Sequence, residues 1–126
     1  MFKPNSLILY VSDVEKSTNF YNMIFSCQPV ETYQDFTLYF LKDDFMLGLQ
    51  QKDVIDPKAP DMFGGFELSF SDVKDQDVDF IYEQWKAIGV EIELHPQKLE
   101  FGYTVVGKDP DGHRLRVCAT DTSDIK

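Results

Sequence analysis

The chain has 126 residues, of which 43% are hydrophobic and 14% aromatic, and its formal net charge at neutral pH is -10. Eleven Phe and six Tyr supply enough apolar surface to offset chain entropy, which excludes a disordered chain and leaves one compact domain or two small fused halves. Twelve Lys and Arg against 22 Asp and Glu form no basic cluster, so neither nucleic acid nor an anionic membrane is an expected partner.

The N-terminal apolar run, Leu7 to Val11, is too short for a signal peptide or a membrane span. Its alternation of Leu7, Leu9 and Val11 has the period of a strand with one buried face. After Ser12-Asp13 the period changes: Val14, Ser17, Tyr21 and Ile24 form one helical stripe, with Ser12 or Asp13 as its N-cap. Strands are predicted over Gln28 to Tyr33, Phe36 to Leu41 and Phe45 to Gln50, with turns at Gln34-Asp35 and Lys42-Asp43-Asp44. Residues 51–63 carry Pro57, Pro60 and charges without periodicity, which marks a linker. The same order then returns. Gly65 to Phe70 is a strand ending in Ser71-Asp72-Val73, and Val78, Ile81, Trp85 and Ile88 form the second helical stripe, capped by Ser71 or Asp72 and stopped by Gly89. Strands over Val90 to Leu94, Phe101 to Gly107 and His113 to Ala119 follow, the last after the turn Asp109-Pro110-Asp111-Gly112, and residues 120–126 are expected to fray.

The predicted fold is therefore α+β, built from two βαβββ modules: 1–50, a linker over 51–63, a second module over 64–119, and a tail over 120–126. Each helix covers one sheet face, so the other faces are free to line a cup. Side-chain parity assigns Leu7, Leu9 and Val11 to the helix, and Ser6, Ile8 and Tyr10 to the cup. In the last strand Leu115 and Val117 face the helix, while Arg114, Arg116 and Cys118 face the cup; Glu67 and Ser69 also point inward, and Met46, Gly48 and Gln50 are assigned there. Cys27 and Cys118 have neither metal-ligand nor redox spacing, and reduced thiols in a cytoplasmic protein are expected.

Leu9 to Tyr21 (LYVSDVEKSTNFY) and Asp109 to Val117 (DPDGHRLRV) resemble the opening and closing signatures of the vicinal oxygen chelate superfamily, which includes glyoxalase I, extradiol dioxygenases and bleomycin-resistance proteins. Within it the chain looks most similar to phenazine antibiotic resistance proteins, to which the Val117-Cys118 pair and Glu83-Gln84-Trp85 add likeness. The resemblance implies a cup completed in a homodimer, and the residues themselves leave open a monomer that closes on itself. It also places the metal-ligand positions of the superfamily's enzymes on Ser6, Gly48 or a neighbour, Gly65 or a neighbour, and Arg116. Glycine has no donor, serine is a poor one, and a guanidinium puts positive charge where a cation would sit, so no metal and no other cofactor is expected. His95 and His113 fall at none of these positions, and His113 shares parity with Leu115, which reads as a structural histidine.

The function these readings point to is a metal-free protein that binds, without catalysis, a small aromatic molecule such as an antibiotic. The ligand-binding candidates are Tyr10, Tyr39, Met46, Gln50, Phe63, Glu67, Phe101, Tyr103 and Arg116. Flat rings stack on aromatic side chains for roughly 0.5–1.5 kcal/mol per pair beyond area burial. Glu67 and Arg116 either neutralise each other or leave Arg116 to hold a ligand carboxylate or phenolate. The alternatives are a metal-dependent lyase or dioxygenase of the same superfamily, an acid-base catalyst using Glu67, and an interaction module with a filled cup. Trp85, the single tryptophan, belongs to the second helical stripe and is assigned to the core.

Overall fold

The computed structural model describes residues 2–121 and 123. Ten regular elements follow one another: β1 (Ser6–Val11), α1 (Val14–Phe25), β2 (Glu31–Thr32), β3 (Phe36–Phe40), β4 (Met46–Gln51), β5 (Glu67–Phe70), α2 (Asp75–Ile88), β6 (Glu91–Leu99), β7 (Gly102–Lys108) and β8 (Arg114–Thr120), with one 3-10 turn at Lys52–Val54. The strands form two four-stranded sheets, β1-β4-β3-β2 and β5-β8-β7-β6. In each, the first strand pairs parallel with the last while the remaining pairs are antiparallel. This is the α+β fold of two βαβββ modules. The chain divides into two compact units, one ending at Phe63 and one beginning at Gly64.

In the first unit Leu9, Val11, Leu47 and Leu49 are buried together with Thr37 and Tyr39. The strand register puts Thr37 opposite Leu49, and Tyr39 opposite Leu47, on one face of the sheet. Buried Val14, Ser17 and Tyr21 of α1 supply the covering stripe. Leu7 shares that face by register with Leu47 but, on the edge strand, stays 39% exposed. Asp13 caps α1 by accepting from the Lys16 amide at 3.2 Å, and Ser26 ends it in the left-handed region at φ 52°. Asp43 and Asp44, both at positive φ, make the tight turn that pairs β3 with β4.

In the second unit Val105, Leu115, Val117 and Ala119 are buried beneath Val78 and Trp85 of α2. Gly107 leaves room for the indole: a Cβ there would lie 3.0 Å from Trp85 Cζ3 and 2.9 Å from Val90 Cγ1. Gly89 stops the helix at φ 84°.

Several boundaries differ from expectation. The helix α2 starts at Asp75, so neither Ser71 nor Asp72 caps it; Asp77 accepts from the Lys74 amide at 2.9 Å, while Asp72 turns through φ 59° and donates its N–H to Thr120 Oγ1. The strand expected over Gln28 to Tyr33 shrinks to two residues, and the strand expected to end at Leu94 runs to Leu99, with register shifts at Ile92/Leu94 and Leu94/Gln97. Of the expected tail, Thr120 still belongs to β8, and residues 122 and 124–126 lie outside the described residues.

His113 is buried at the start of β8. Asp109 bonds its ring Nδ1 at 2.8 Å and accepts the amides of Asp111 and His113 at 2.9 and 2.8 Å, so this carboxylate organises the turn that precedes β8.

Candidate functional site

The sheet faces turned away from the helices carry the unexplained side chains, and the strand register orders them into rows. In the first unit, Tyr10, Gln50 and Phe36 make one row, Ile8, Gly48 and Leu38 the next, and Ser6, Met46 and Phe40 the third. Except for Gly48, none of these residues is fully buried. Ile8 is 44% exposed, Tyr10 38% and Phe40 49%. At the centre, a Cβ on Gly48 would lie 2.6 Å from both Ile8 Cδ1 and Phe36 Cζ. The missing side chain therefore lets Ile8 and Phe36 settle onto the strand. The result is an apolar platform with one amide on it, whose nitrogen donates to the Gln51 carbonyl at 2.9 Å.

The second unit's open face is of another kind. Glu67, Arg114, Lys108 and Glu91 form a row of charges, and Ser69, Arg116, Val106 and Leu94 form the next. Arg116 Nε donates to Glu67 at 2.8 Å; Arg114 makes a two-pronged bond to Glu93 at 2.8 and 2.9 Å; Lys108 meets Glu91 at 2.8 Å. The Arg114 bond holds the Glu93 carboxyl below the usual carboxylate range, and Arg114 and Lys108 are in turn held further toward their charged forms, each chiefly by the hydrogen bond to its carboxylate partner.

Of the ligand-binding candidates, Tyr10, Met46 and Gln50 lie together on the first open face, and Glu67 and Arg116 together on the second. Two tyrosines lie on the helix side instead. Tyr39 is 0% exposed on the helix side, where its hydroxyl donates to the Thr18 carbonyl at 3.0 Å and meets the Asn22 amide at 2.6 Å. Tyr103 shares the face of Ala119 and donates to Asp79 of α2 at 2.6 Å. Each phenol reaches for a helix, which fixes its ring away from the open face. Phe63 is not on a strand; the Lys52 ammonium stands 3.9 Å over its ring and donates to the Met62 carbonyl at 2.7 Å. Lys52 and Phe63 border a hollow of about 620 Å³ within the first unit, also lined by Ser12, Ile55 and Ala59. Phe101 is 57% exposed just before β7. Phe36, Leu38 and Phe40 carry no motif that marks them in the sequence; pairing their strand with Met46 to Gln50 through the Asp43-Asp44 turn identifies them.

Of the positions that the resemblance assigns to a metal, Ser6, Gly48 and Arg116 do not fit one. Ser6 and Gly48 sit on the platform, where Gly48 has no donor and no space for one, and Arg116 is bonded to Glu67. Among the described residues no three His, Cys, Asp or Glu side chains are grouped to hold a metal ion.

Two modules of this topology with these open faces define a family, and the match is direct: the model of the Glyoxalase/Bleomycin resistance protein/Dioxygenase superfamily covers residues 3–117, and the chain belongs to that superfamily. Among its members the chain is 30% identical over 121 residues to the phenazine antibiotic resistance protein EhpR of Enterobacter agglomerans, covering 94% of this chain and 92% of that protein. The solution structure of protein ATC0852 from Agrobacterium tumefaciens is 42% identical, with a TM-score of 0.85 over 96% of this chain and 99% of that one. A glyoxalase-related enzyme from Fulvimarina pelagi shares the fold, at 20% identity and a TM-score of 0.80 over 94% of this chain and 88% of that one. No helix among the described residues is long and apolar enough to cross a membrane.

Proposed function

We propose that this chain is a cytoplasmic, metal-free binding protein that sequesters a planar aromatic small molecule, an antibiotic of the phenazine type, in a cup completed in a homodimer. The observation that carries this reading is the apolar platform of the first unit, where Ile8, Tyr10, Phe36, Leu38, Phe40 and Met46 lie on a sheet face that α1 does not cover. A flat ring laid on it gains area burial from the aliphatic side chains and stacking from the aromatic ones. The likeness to a phenazine resistance protein over nearly the whole chain supports the ligand class. The poor donor set at Ser6, Gly48 and Arg116 supports binding over the metal-dependent lyase or dioxygenase chemistry of other members. Glu67, the residue considered as a general base, accepts from Arg116 instead of facing a second acid-base group.

Native mass spectrometry of protein purified without added metal, followed by titration with phenazine, tests the reading. A metal-free dimer that takes up one phenazine per cup, with binding weakened by Phe36→Ala, is the expected result. One tightly held metal per cup, or no uptake of phenazine, overturns it.

A further inference from the structure

A second hollow of the first unit, of about 510 Å³, lies between α1 and the β2–β3 turn, on the helix side of the sheet and away from the apolar platform. Its origin is the shortened second strand. Pro29 has no N–H to give a neighbouring strand, so pairing with β3 starts at Val30, whose amide donates to the Leu38 carbonyl at 2.8 Å, and β2 ends at Thr32. Gln28 and Pro29 before β2, and Tyr33 and Gln34 after it, are thereby left as walls beside the helix.

The inner polar groups of the hollow are already bonded. Thr18 Oγ1 donates to the Val14 carbonyl at 2.6 Å and lies 2.8 Å from Oγ1 of the buried Thr37, while the Asn22 amide meets the Tyr39 hydroxyl at 2.6 Å. The outer ones are not: the exposed side chains of Asn19, Gln28, Thr32 and Gln34 make no hydrogen bond among the described residues. Tyr33 adds a ring that is 60% exposed and whose hydroxyl donates to Glu31 at 2.9 Å.

Independently of the sequestration reading, we infer that this hollow is a saccharide site, taking a neutral mono- or disaccharide. No Lys, Arg or His lines it, so an anion finds no counter-charge there. A flat apolar ring would strip water from the amides and give them nothing in return. A sugar hydroxyl both donates and accepts, which matches the paired C=O and NH2 of Asn19, Gln28 and Gln34. The C–H face of a pyranose can lie on the Tyr33 ring, whose π-face is electronegative. The volume suits a small molecule, whose sites run from about 300 to 1,000 Å³.

Titration of the isotope-labelled full chain with glucose and with N-acetylglucosamine, followed by NMR amide shifts, tests this. At least one sugar is expected to give saturable shifts at Asn19, Gln28, Thr32 and Gln34, with a Kd of about 1 mM, the strength that few ligand atoms support. Asn19→Ala and Gln34→Ala are each expected to weaken it by roughly threefold to tenfold, as for one lost hydrogen bond. Both side chains are exposed and unbonded, so the variants fold, which a thermal melt checks. Shifts that never saturate with either sugar, shifts centred on Ile8, Gly48 and Gln50 of the open face, or an affinity that neither variant changes overturn the inference and leave the sequestration reading standing.

Discussion

Tyr39 and Tyr103 both lie on the third strand of their module, near its end and near its start respectively, and each faces the helix and gives its hydroxyl to it. For Tyr39 the donation is to the Thr18 carbonyl, and the Asn22 amide completes the hydroxyl's bonding, so this phenol is buried without an unsatisfied atom. Tyr39→Phe removes the hydroxyl and leaves the Asn22 amide and a backbone acceptor short of a partner. The expected cost is about 1–3 kcal/mol, read as a lower urea midpoint at neutral pH. The same side chain carries a pH dependence. Burial first, and then the neighbouring charge of Cys27, push the phenol well above its usual 10.0. Its folded-state value is raised, so its contribution is fully present below pH 10 and is lost as pH climbs above 10, where the unfolded chain ionises and the folded one does not. Tyr103, raised by its bond to Asp79, acts with the same sign. Urea titrations between neutrality and pH 11 should therefore show alkaline destabilisation that is shallower in Tyr39→Phe. An unchanged slope would assign the effect to other groups.

At the scale of elements, the end of the fourth strand ties down the entry to the helix in both modules. Gln51, the last residue of β4, accepts the Val14 amide at 2.9 Å and donates to the Ser12 carbonyl at 2.6 Å; Thr120, the last residue of β8, accepts the Asp72 amide at 3.1 Å. The first clamp satisfies an orphan N–H at the start of α1 and fixes how the chain leaves β1. Gln51→Ala is expected to destabilise by about 1–2 kcal/mol and Thr120→Val, at an exposed single bond, by less than about 1 kcal/mol, both from denaturant melts. Equal losses at the two sites would mean that the second contact of Gln51 contributes nothing. These clamps explain what the sequence shows and what it hides. Alternation within a strand is local, so the faces of Leu9, Val11, Leu115 and Val117 are legible from residue order alone. The bond from Gln51 back to Ser12 and Val14, the Thr120 contact that diverts Asp72 from capping, and the β6 register shifts beside Glu93 depend on residues distant in sequence. No periodicity reports them.

At the scale of the whole molecule, the duplicated order and the closing DPDGHRLRV segment carry the fold, because the strand and helix periods repeat in sequence wherever the modules repeat in space. The open faces are only half legible. Aromaticity alone does not choose between the two faces of a strand, which is why residue type assigns Tyr39 and Tyr103 to the ligand and passes over Phe36, Leu38 and Phe40. Hydroxyl-bearing rings can satisfy themselves against a helix; Phe cannot, and on the proposed reading Phe36, opposite Gln50, and Phe40, opposite Met46, take an apolar partner. That partner has a thermodynamic consequence whatever its identity. A ligand that binds only the folded chain stabilises it by mass action, by about 2.7 kcal/mol at a hundredfold excess over its Kd. For a chain of 126 residues that corresponds to a rise in Tm of roughly 10 °C. Thermal melts of the protein with a panel of neutral planar heterocycles should show such a rise with at least one of them, and the rise should shrink in Phe36→Ala. Zinc, nickel, manganese or iron added at the same excess should leave Tm unmoved, because Ser6, Gly48 and the Glu67-bonded Arg116 offer a cation nothing to bind. A metal-dependent rise with no response to the heterocycles would overturn the proposed binding role and favour the metalloenzymes of the superfamily.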